Sequence, residues 1–279
     1  MQKRVVAVHD ISCVGKCSLT VALPILSAAG IETSILPTAI LSTHTGGFEG
    51  YTFHDLTSEI MPIAEHWKSL GLRVDSFYTG YLGSFEQLEL VSKLFDMLRN
   101  DDTLIFIDPV MGDNGKLYAA FSQEFAFGMA KLCSKADIIV PNLTEASYML
   151  GIPYVGHDYD KAYIEELLVK LTDLGPKKAI LSGISFEKGM LGAAAYDKET
   201  GKYSYYFREE VEGYYHGTGD VFASGALSAL LNGKTLEEAI AAAVDFTHEA
   251  IERTFEAKTE ARYGVDFENA LPVLLEKVK

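Results

Sequence analysis

The sequence predicts an α/β fold with a doubly wound, mostly parallel sheet flanked by helices, and with an antiparallel hairpin late in the chain. Short apolar runs alternate with stretches of helical periodicity from residue 4 to residue 181. The runs are continuously apolar, as is typical of strands that are buried on both faces. Beyond residue 190, two neighbouring strand-like runs flank a turn sequence, which predicts the hairpin. Alternation of this kind is characteristic of doubly wound sheets.

The elements of the parallel part follow in order. A β-branched strand is predicted at 4–9, and a helix at 19–29 ends before Gly30. A strand at 33–41 precedes a helix at 56–70, whose apolar residues recur at helical spacing and which stops at Gly71. The remaining strands are predicted at 76–81, 104–107, 138–140 and 179–181, and the helices between them at 86–98, 121–133 and 163–174.

The last part of the chain follows another pattern. Two strands at 191–196 and 203–207 flank Asp197-Lys198-Glu199-Thr200-Gly201, a good hairpin turn. Helices are then predicted at 220–231, 236–254 and 267–278. Because no linker, low-complexity tract or internal repeat interrupts the pattern, residues 1–279 are predicted to form a single domain.

Composition excludes several classes of protein. The net charge is −15, from 24 basic and 39 acidic residues, and the absence of any basic run argues against nucleic-acid binding. No apolar stretch reaches 18 residues, so we expect no membrane span. The three cysteines (Cys13, Cys17 and Cys133) are odd in number and form no C-x-x-C, which favours a reducing, cytoplasmic location.

The most informative segment is Gly217-Thr218-Gly219-Asp220, directly before an apolar helix. Glycines let the backbone approach a ligand closely, and the first turn of a helix has unpaired amides that favour an anion such as phosphate. A carboxylate beside phosphate is repelled unless it has a function, and a general base for an attacking hydroxyl is such a function. The alternative interpretation is an ordinary helix whose first turn carries an aspartate.

Polar residues also follow the predicted strands. In doubly wound folds, ligands bind beyond the carboxyl ends of the strands. The candidate site residues found there are His9-Asp10, Ser42-Thr43-His44-Thr45, Gly80-Tyr81, Asp108, Asn142 and Ser182. The segment that begins at His44 continues through flexible glycines toward His54, and we interpret it as a candidate flap over the site.

Three other segments contain candidate motifs. Residues 9–17 suggest a P-loop but fail its pattern, because Asp10 stands where glycine is required and Cys17 where a hydroxyl is required. Asp108 and Asp113 flank a turn and could face one cavity, which favours a magnesium or phosphate role over a surface turn. Glu145 could be a simple helix N-terminal charge or could hold a metal-bound water.

These segments together resemble the ribokinase-like superfamily and, within it, the pyridoxal kinase family of vitamin B6 kinases. The resemblance runs from the first strand through the C-terminal helices. Gly217 to Asp220, followed by the small-residue helix, resembles the anion-hole signature of the superfamily. The segments more specific to vitamin B6 kinases occur in the family's order: Ser42-Thr43-His44-Thr45, Gly80-Tyr81-Leu82-Gly83-Ser84, Asp108-Pro109-Val110-Met111-Gly112 and Pro141-Asn142-Leu143-Thr144-Glu145.

The resemblance implies ATP-dependent phosphorylation of the 5′-hydroxymethyl group of pyridoxal, pyridoxine or pyridoxamine. Asp220 would take the hydroxyl proton, and the backbone amides of Gly217, Thr218, Gly219 and Asp220 would stabilise charge on the transferring phosphoryl group. Family members use Mg²⁺, commonly with a monovalent cation (K⁺ or Na⁺), and are usually homodimers.

The resemblance also implies the roles of the remaining candidates. On the substrate side it places Asp10, Ser12, His44, Thr45, Gly46 and Tyr81. On the phosphate and cation side it places Asp108, Asp113, Asn142 and Glu145, with Ser182 on the ATP phosphates and with Asp108, Asp113 and Glu145 as metal ligands.

One position departs from the family pattern. Vitamin B6 kinases usually carry a Gln-Ser pair at the end of the first strand, where His9-Asp10 stands here. Asp10 would accept a hydrogen bond from a pyridinium N–H, a ring hydroxyl or a substrate amine, and Ser12 could supply the missing hydroxyl. In having an aspartate near this position, the chain resembles the related hydroxymethylpyrimidine kinases. Phosphorylation of a hydroxymethylpyrimidine is therefore the alternative function. A non-catalytic nucleotide-binding protein is disfavoured, since Asp220 is present.

Overall fold

The computed structural model describes residues 2–279 and is built around one nine-stranded sheet. In chain order the strands are β1 (Arg4–Ser12), β2 (Glu32–Leu41), β3 (Phe53–Asp55), β4 (Ser76–Thr79), β5 (Leu104–Ile107), β6 (Gly112–Asp113), β7 (Lys116–Leu117), β8 (Ile138–Ile139), β9 (Lys178–Ile184), β10 (Met190–Asp197) and β11 (Lys202–Glu209). Their spatial order is β11-β10-β9-β8-β5-β4-β1-β2-β3, and β6 and β7 form a separate two-stranded hairpin.

The helices are α1 (Leu19–Ala28), α2 (Thr57–Ser69), α3 (Phe85–Leu98), α4 (Gln123–Cys133), α5 (Leu143–Leu150), α6 (Lys161–Asp173), α7 (Thr218–Leu231), α8 (Leu236–Ala257) and α9 (Phe267–Val278), with a 3₁₀ turn at Ala261–Tyr263. Six neighbouring strands of the sheet pair in parallel, in the spatial order β2, β1, β4, β5, β8 and β9. Strands β3, β10 and β11 pair antiparallel to their neighbours. Within residues 2–279, no helix is both long and apolar enough to cross a membrane.

Two apolar layers enclose the sheet, because successive side chains of a strand point to opposite faces. Val6 and Val8 of β1 pack into the layer formed with α2 to α6. Val5 packs into the other layer, formed with α1, α7, α8 and α9. The strands are therefore buried on both faces, which explains why they read as continuous apolar runs.

The predicted doubly wound sheet with its late hairpin is confirmed. Predicted and observed elements differ mainly at their ends: the helix predicted at 236–254, for example, runs over Leu236–Ala257. Three short strands were not predicted. β3, β6 and β7 contain two or three residues each, too few to show a period. β3 pairs with β2, so the end of the candidate flap is anchored to the sheet edge.

An ionic cluster ties the C-terminal helices α8 and α9 to strand β11 of the late hairpin. Asp245 of α8 is 7% exposed and accepts hydrogen bonds from Arg208 Nη1 at 2.7 Å and from the Tyr206 hydroxyl at 3.0 Å, and it also pairs with Lys277 of α9. Burial alone would raise the pKa of Asp245, but the bonds from Lys277, Arg208 and Tyr206 outweigh it and hold the pKa below its ordinary value.

Asp245→Ala is expected to lower the free energy of unfolding by about 2 kcal/mol at neutral pH, since it leaves two cations and a hydroxyl without their shared acceptor. Because the folded-state pKa is lowered, the Asp245 contribution is lost as pH falls through that value, and the variant should approach the wild type in acid. Urea denaturation of the variant and the wild type, at neutral pH and at acidic pH, measures this difference in the free energy of unfolding. Glu237→Ala, which removes the exposed pair with Lys202, is the control and should change stability by under about 0.5 kcal/mol.

Candidate active site

The N-terminus of α7 presents unpaired amides toward the carboxyl ends of the strands. Gly217 caps the helix with φ 77°, and a Cβ there would lie 2.0 Å from the Lys16 carbonyl oxygen, so only glycine fits. Among residues 2–279, the amides of Thr218, Gly219 and Asp220 donate to no protein acceptor, while the intrahelical bonding begins with Val221 N to Gly217 O. Such a helix start is suited to an anion.

Asp220 lies beside these amides on the first turn of α7. Its Oδ2 accepts a hydrogen bond of 2.9 Å from the Ser18 amide, and its other oxygen has no hydrogen-bond donor among the described residues. Burial, together with the negative charge of Asp10, raises the pKa of Asp220 to about 7, although the Ser18 amide opposes this shift. A carboxylate with a pKa near 7 and a free oxygen is suited to accept a proton.

Ser18 is a site residue that sequence reasoning missed. It adopts φ 55° and ψ −127°, a backbone conformation that is uncommon for a residue with a side chain. Its amide points at Asp220, and its hydroxyl lies within reach of the Asp10 carboxylate, whose pKa it lowers. No signal in the sequence marks this serine, because its contact with Asp220 joins residues 202 positions apart.

Asp10 lies at the irregularity in the β1–β2 register, between His9 and Ile11, and is 4% exposed. The Ser12 hydroxyl donates to its Oδ2 at 3.0 Å. Burial raises the pKa of Asp10, although the hydrogen bonds of the Ser18 and Ser12 hydroxyls and the nearby His44 oppose this shift. Burial also raises the pKa of Tyr81, and the negative charge of Asp10 adds to that shift. The predicted substrate-side residues Asp10, Ser12, His44 and Tyr81 therefore lie near one another.

His44 is held in one neutral tautomer. Its Nδ1 accepts a hydrogen bond of 3.0 Å from the Gly46 amide, so Nε2 carries the hydrogen and donates to the Arg262 carbonyl at 2.6 Å. Burial lowers the pKa of His44, although the Arg262 carbonyl and Asp10 act in the opposite sense. The start of the candidate flap is thus fastened to the 3₁₀ turn near the C-terminus.

An open cleft of about 600 Å³ lies over this part of the site and is lined by Thr45, Gly47, Phe48, Glu49 and Arg262. The Arg262 guanidinium lies 5.3 Å from the centroid of the Phe48 ring, and a Cβ on Gly46 would lie 2.5 Å from His216. Thr45 therefore lines this cleft, and Gly46 packs against His216. Arg262 and His216 were not predicted, because tertiary packing alone brings them here.

Two buried acids lie on the other side of the Asp220 carboxylate. Asp108 follows β5, and among the described residues its carboxylate has no hydrogen-bond or ion-pair partner. Burial raises the pKa of Asp108 well above its ordinary value, and the charges of Glu145 and Asp220 raise it further. Burial also raises the pKa of Glu145 to about 8, although its oxygens accept from the amides of Asn142 (2.9 Å) and Met111 (3.1 Å).

The remaining predicted residues lie around these acids. The Asn142 side chain caps α5 and donates to the Gly112 carbonyl at 2.9 Å, and Asn142 forms a bridge with Ser182 of β9. Asp113 accepts hydrogen bonds from the Asn114 amide and, at 3.1 Å, from the Tyr214 hydroxyl. Over residues 2–279, no three His, Cys, Asp or Glu side chains form a ready-made metal site, so Asp108, Asp113 and Glu145 are not arranged as a direct ligand set.

Comparison with known proteins adds an independent finding. A family model for phosphomethylpyrimidine kinases matches residues 25–264. A pyridoxal kinase of Histophilus somni is 30% identical over 245 residues, covering 82% of this chain and 81% of the relative. A crystal structure from Bacteroides thetaiotaomicron, assigned to the phosphomethylpyrimidine kinases and obtained with pyridoxal, is 39% identical, with a TM-score of 0.93 over 98% of this chain and 96% of that one. Pyridoxal kinase from Lactobacillus plantarum is 31% identical, with a TM-score of 0.89 over 99% and 97%.

Proposed function

We propose, from the premise that this chain belongs to the pyridoxal kinase family of the ribokinase-like superfamily, that it transfers the terminal phosphoryl group of ATP to the 5′-hydroxymethyl group of a vitamin B6 vitamer. One observation carries the proposal. The Asp220 carboxylate, with one free oxygen and a pKa near 7, lies beside three amides that have no protein acceptor within residues 2–279. This arrangement serves both partners of a phosphoryl transfer to an alcohol.

In the proposed reaction, the free oxygen of Asp220 takes the proton of the substrate hydroxyl as the hydroxyl oxygen attacks the γ-phosphorus of ATP, and the bond from that phosphorus to the bridging oxygen breaks to release ADP. The amides of Thr218, Gly219 and Asp220 donate to the oxygens of the transferring group, where negative charge must be stabilised. The Ser18 amide fixes the other Asp220 oxygen, so that the base is held in one orientation. Gly217 lets the backbone turn sharply enough to aim these donors.

The substrate ring would occupy the pocket surrounded by Asp10, Ser12, His44 and Tyr81, with Thr45 and Gly46 at its open side. Tyr81 presents a flat surface for a pyridine ring and is itself supported by Phe121, with ring centroids 5.4 Å apart. The neutral His44 is already paired at both nitrogens, so we assign it to holding the flap against the 3₁₀ turn.

ATP and Mg²⁺ would lie on the side of Asp108 and Glu145, beside Asp113, Asn142 and Ser182. The donor chemistry fits a cation, since Asp108 and Glu145 are buried carboxylates and Asp108 has no positive partner within the described chain. Without a direct ligand set, these acids would hold Mg²⁺ largely through water and phosphate oxygens. When bound, the ion neutralises phosphate charge, and K⁺ or Na⁺ is proposed as a further cation.

We also propose a single domain, a homodimer and a cytoplasmic location. The continuous nine-stranded sheet supports the single domain. Exposed apolar side chains on the last two strands at one side of the sheet, Ile35 and Ile40 of β2 and Phe53 of β3, support an interface between two copies. The three free cysteines support a reducing compartment.

Hydroxymethylpyrimidine kinase is the second candidate function. Asp10, in place of the family's usual serine, and the match to the phosphomethylpyrimidine kinase model both favour it. Both functions use the same base and the same amides. They differ only in the ring that occupies the pocket.

The test is an ATP-consumption assay with pyridoxal, pyridoxine, pyridoxamine, hydroxymethylpyrimidine and ribose as separate acceptors. We expect turnover with the vitamers and none with ribose. Preference for the pyrimidine would replace the substrate class but keep the kinase, and absence of ATP consumption with every acceptor would refute the kinase.

The pH dependence of kcat/KM should show an acidic limb near pH 7, because Asp220 must be ionised to accept the proton and its pKa is raised to about 7. Below that limb the rate should fall about tenfold per pH unit. Asp10→Asn removes a neighbouring negative charge and should move the limb to lower pH. A limb near 4, the ordinary range of an aspartate, would contradict the raised pKa of Asp220.

A further inference from the structure

Asp10 places a carboxylate in the ring pocket that phosphoryl transfer itself does not require. It is 4% exposed, and the Ser12 hydroxyl donates to its Oδ2 at 3.0 Å. The Ser18 hydroxyl and His44 also lie close to it. A carboxylate held by hydroxyl groups at the edge of a substrate pocket is positioned to receive a hydrogen-bond donor from the substrate.

The described residues supply no cation to Asp10. The nearest ring, His44, is neutral because its Nδ1 accepts the Gly46 amide. Lys16 pairs with Glu268 at 2.7 Å, and Arg262 pairs with Glu260 at 2.8 Å. The neighbouring Asp220 adds a second negative charge. A buried negative charge without a partner is costly in free energy. A positively charged substrate group would therefore neutralise the Asp10 carboxylate and bind favourably.

Ser18 fixes the distance between the two acids. Its amide donates to Asp220 at 2.9 Å, and its hydroxyl lies beside Asp10, so the two carboxylates flank a single residue. A substrate hydroxymethyl group on Asp220 would therefore bring the substituent of the adjacent ring carbon to Asp10. In vitamin B6 that substituent is the 4′ group. It is an alcohol in pyridoxine, an aldehyde in pyridoxal and an ammonium group in pyridoxamine.

We propose that Asp10 is a specificity residue that binds the 4′-ammonium group of pyridoxamine and makes pyridoxamine the preferred vitamer. This inference rests on the proposed vitamin B6 kinase function. The ammonium group donates to the carboxylate and neutralises it, whereas the aldehyde of pyridoxal offers only an acceptor oxygen. The alcohol of pyridoxine can donate but carries no charge. The expected order of kcat/KM is therefore pyridoxamine, then pyridoxine, then pyridoxal.

The experiment compares kcat/KM for the three vitamers in the wild type and in Asp10→Asn, which keeps the shape and removes the charge. We expect the ratio of pyridoxamine to pyridoxal to exceed about tenfold in the wild type and to fall by roughly 10²-fold in the variant. Asp101→Asn is the control and should leave the ratio unchanged. Asp101 is exposed and lies just before the amino end of β5, whereas the site lies at the carboxyl ends of the strands.

Several outcomes would overturn the inference. One is equal turnover of all three vitamers by the wild type, and another is an equal loss for all three in Asp10→Asn. A wild-type preference for hydroxymethylpyrimidine, whose neutral amino group occupies the corresponding ring position, would also contradict it. By contrast, failure of the wild type to phosphorylate any vitamer would refute the proposed function itself.

A binding measurement keeps the inference testable if Asp10→Asn is poorly active. Titration calorimetry without ATP should show that pyridoxamine binds the wild type more tightly than pyridoxine. Asp10→Ser, which restores the residue type usual in the family, should raise the Kd for pyridoxamine at least about tenfold relative to that for pyridoxine. An unchanged ratio of the two Kd values in this variant would show that Asp10 does not discriminate between the 4′ groups of the vitamers.

Discussion

Asp220→Asn is expected to bind ATP with nearly the wild-type Kd and to lose at least about 10²-fold in kcat, which is the usual scale of general base catalysis. Asparagine keeps the size of the side chain and can still accept from the Ser18 amide, but its amide cannot take a proton. The measurements are single-turnover phosphoryl transfer with the preferred vitamer and, separately, ATP binding by calorimetry. A variant that turns over at the wild-type rate would show that Asp220 is not the base.

The same variant offers a check that it has folded. The folded-state pKa of Asp220, about 7, lies above the ordinary value of 3.8. The native protein therefore loses stability as pH rises from the lower value to the higher, because the unfolded chain ionises first. At pH 8, Asp220→Asn should be more stable than the wild type by roughly 4 kcal/mol, and the difference should vanish near pH 4. Loss of activity with gain of stability would separate a catalytic role from a structural one.

Gly217→Ala is expected to reduce kcat by about 10²–10³-fold, the cost of losing an aligned oxyanion donor. A Cβ at this position would lie 2.0 Å from the Lys16 carbonyl oxygen, and the backbone has φ 77°. Relief of the collision must move either the start of α7 or the segment before Ser18. Both movements misalign the Asp220 carboxylate and the free amides.

Gly233→Ala is the matched control for this prediction. Gly233 also has a positive φ, of 85°, but a Cβ there would have nothing within 4 Å. It should cost about 1 kcal/mol of stability and leave kcat/KM unchanged. Steady-state kinetics and urea denaturation of both variants provide the comparison. A folded Gly217→Ala enzyme with kcat within about threefold of the wild type would contradict the role of this turn.

The parts of the fold that the sequence predicts are those determined by local pattern. β1, predicted at 4–9, and α7, predicted at 220–231, contain apolar runs that the sequence shows directly, and the structure has them at Arg4–Ser12 and Thr218–Leu231. β3, at Phe53–Asp55, has three exposed residues, and only pairing with β2 makes it a strand. The hairpin of β6 and β7 is shorter still and depends on tertiary contacts with α5.

The residues of the candidate site also fall into two groups: those that the local sequence marks and those that only tertiary packing brings to the site. Gly217 to Asp220 and Asp108 could be singled out as candidates, because a turn, a helix start or a strand end marks each of them within a few residues. Ser18 could not, since its role comes from a strained backbone that meets Asp220 across the fold. Arg262 could not either, because its carbonyl meets His44 from 218 residues away. Pairings of this kind arise only from packing.

The most direct test of the central claim is a crystal structure with ADP, Mg²⁺, pyridoxamine and aluminium fluoride, which mimics the transferring phosphoryl group. We expect the aluminium fluoride to lie against the amides of Thr218, Gly219 and Asp220, with the 5′-hydroxyl oxygen within hydrogen-bonding distance of the Asp220 carboxylate. Fluoride bound away from these amides, with Asp220 turned from the alcohol, would contradict it.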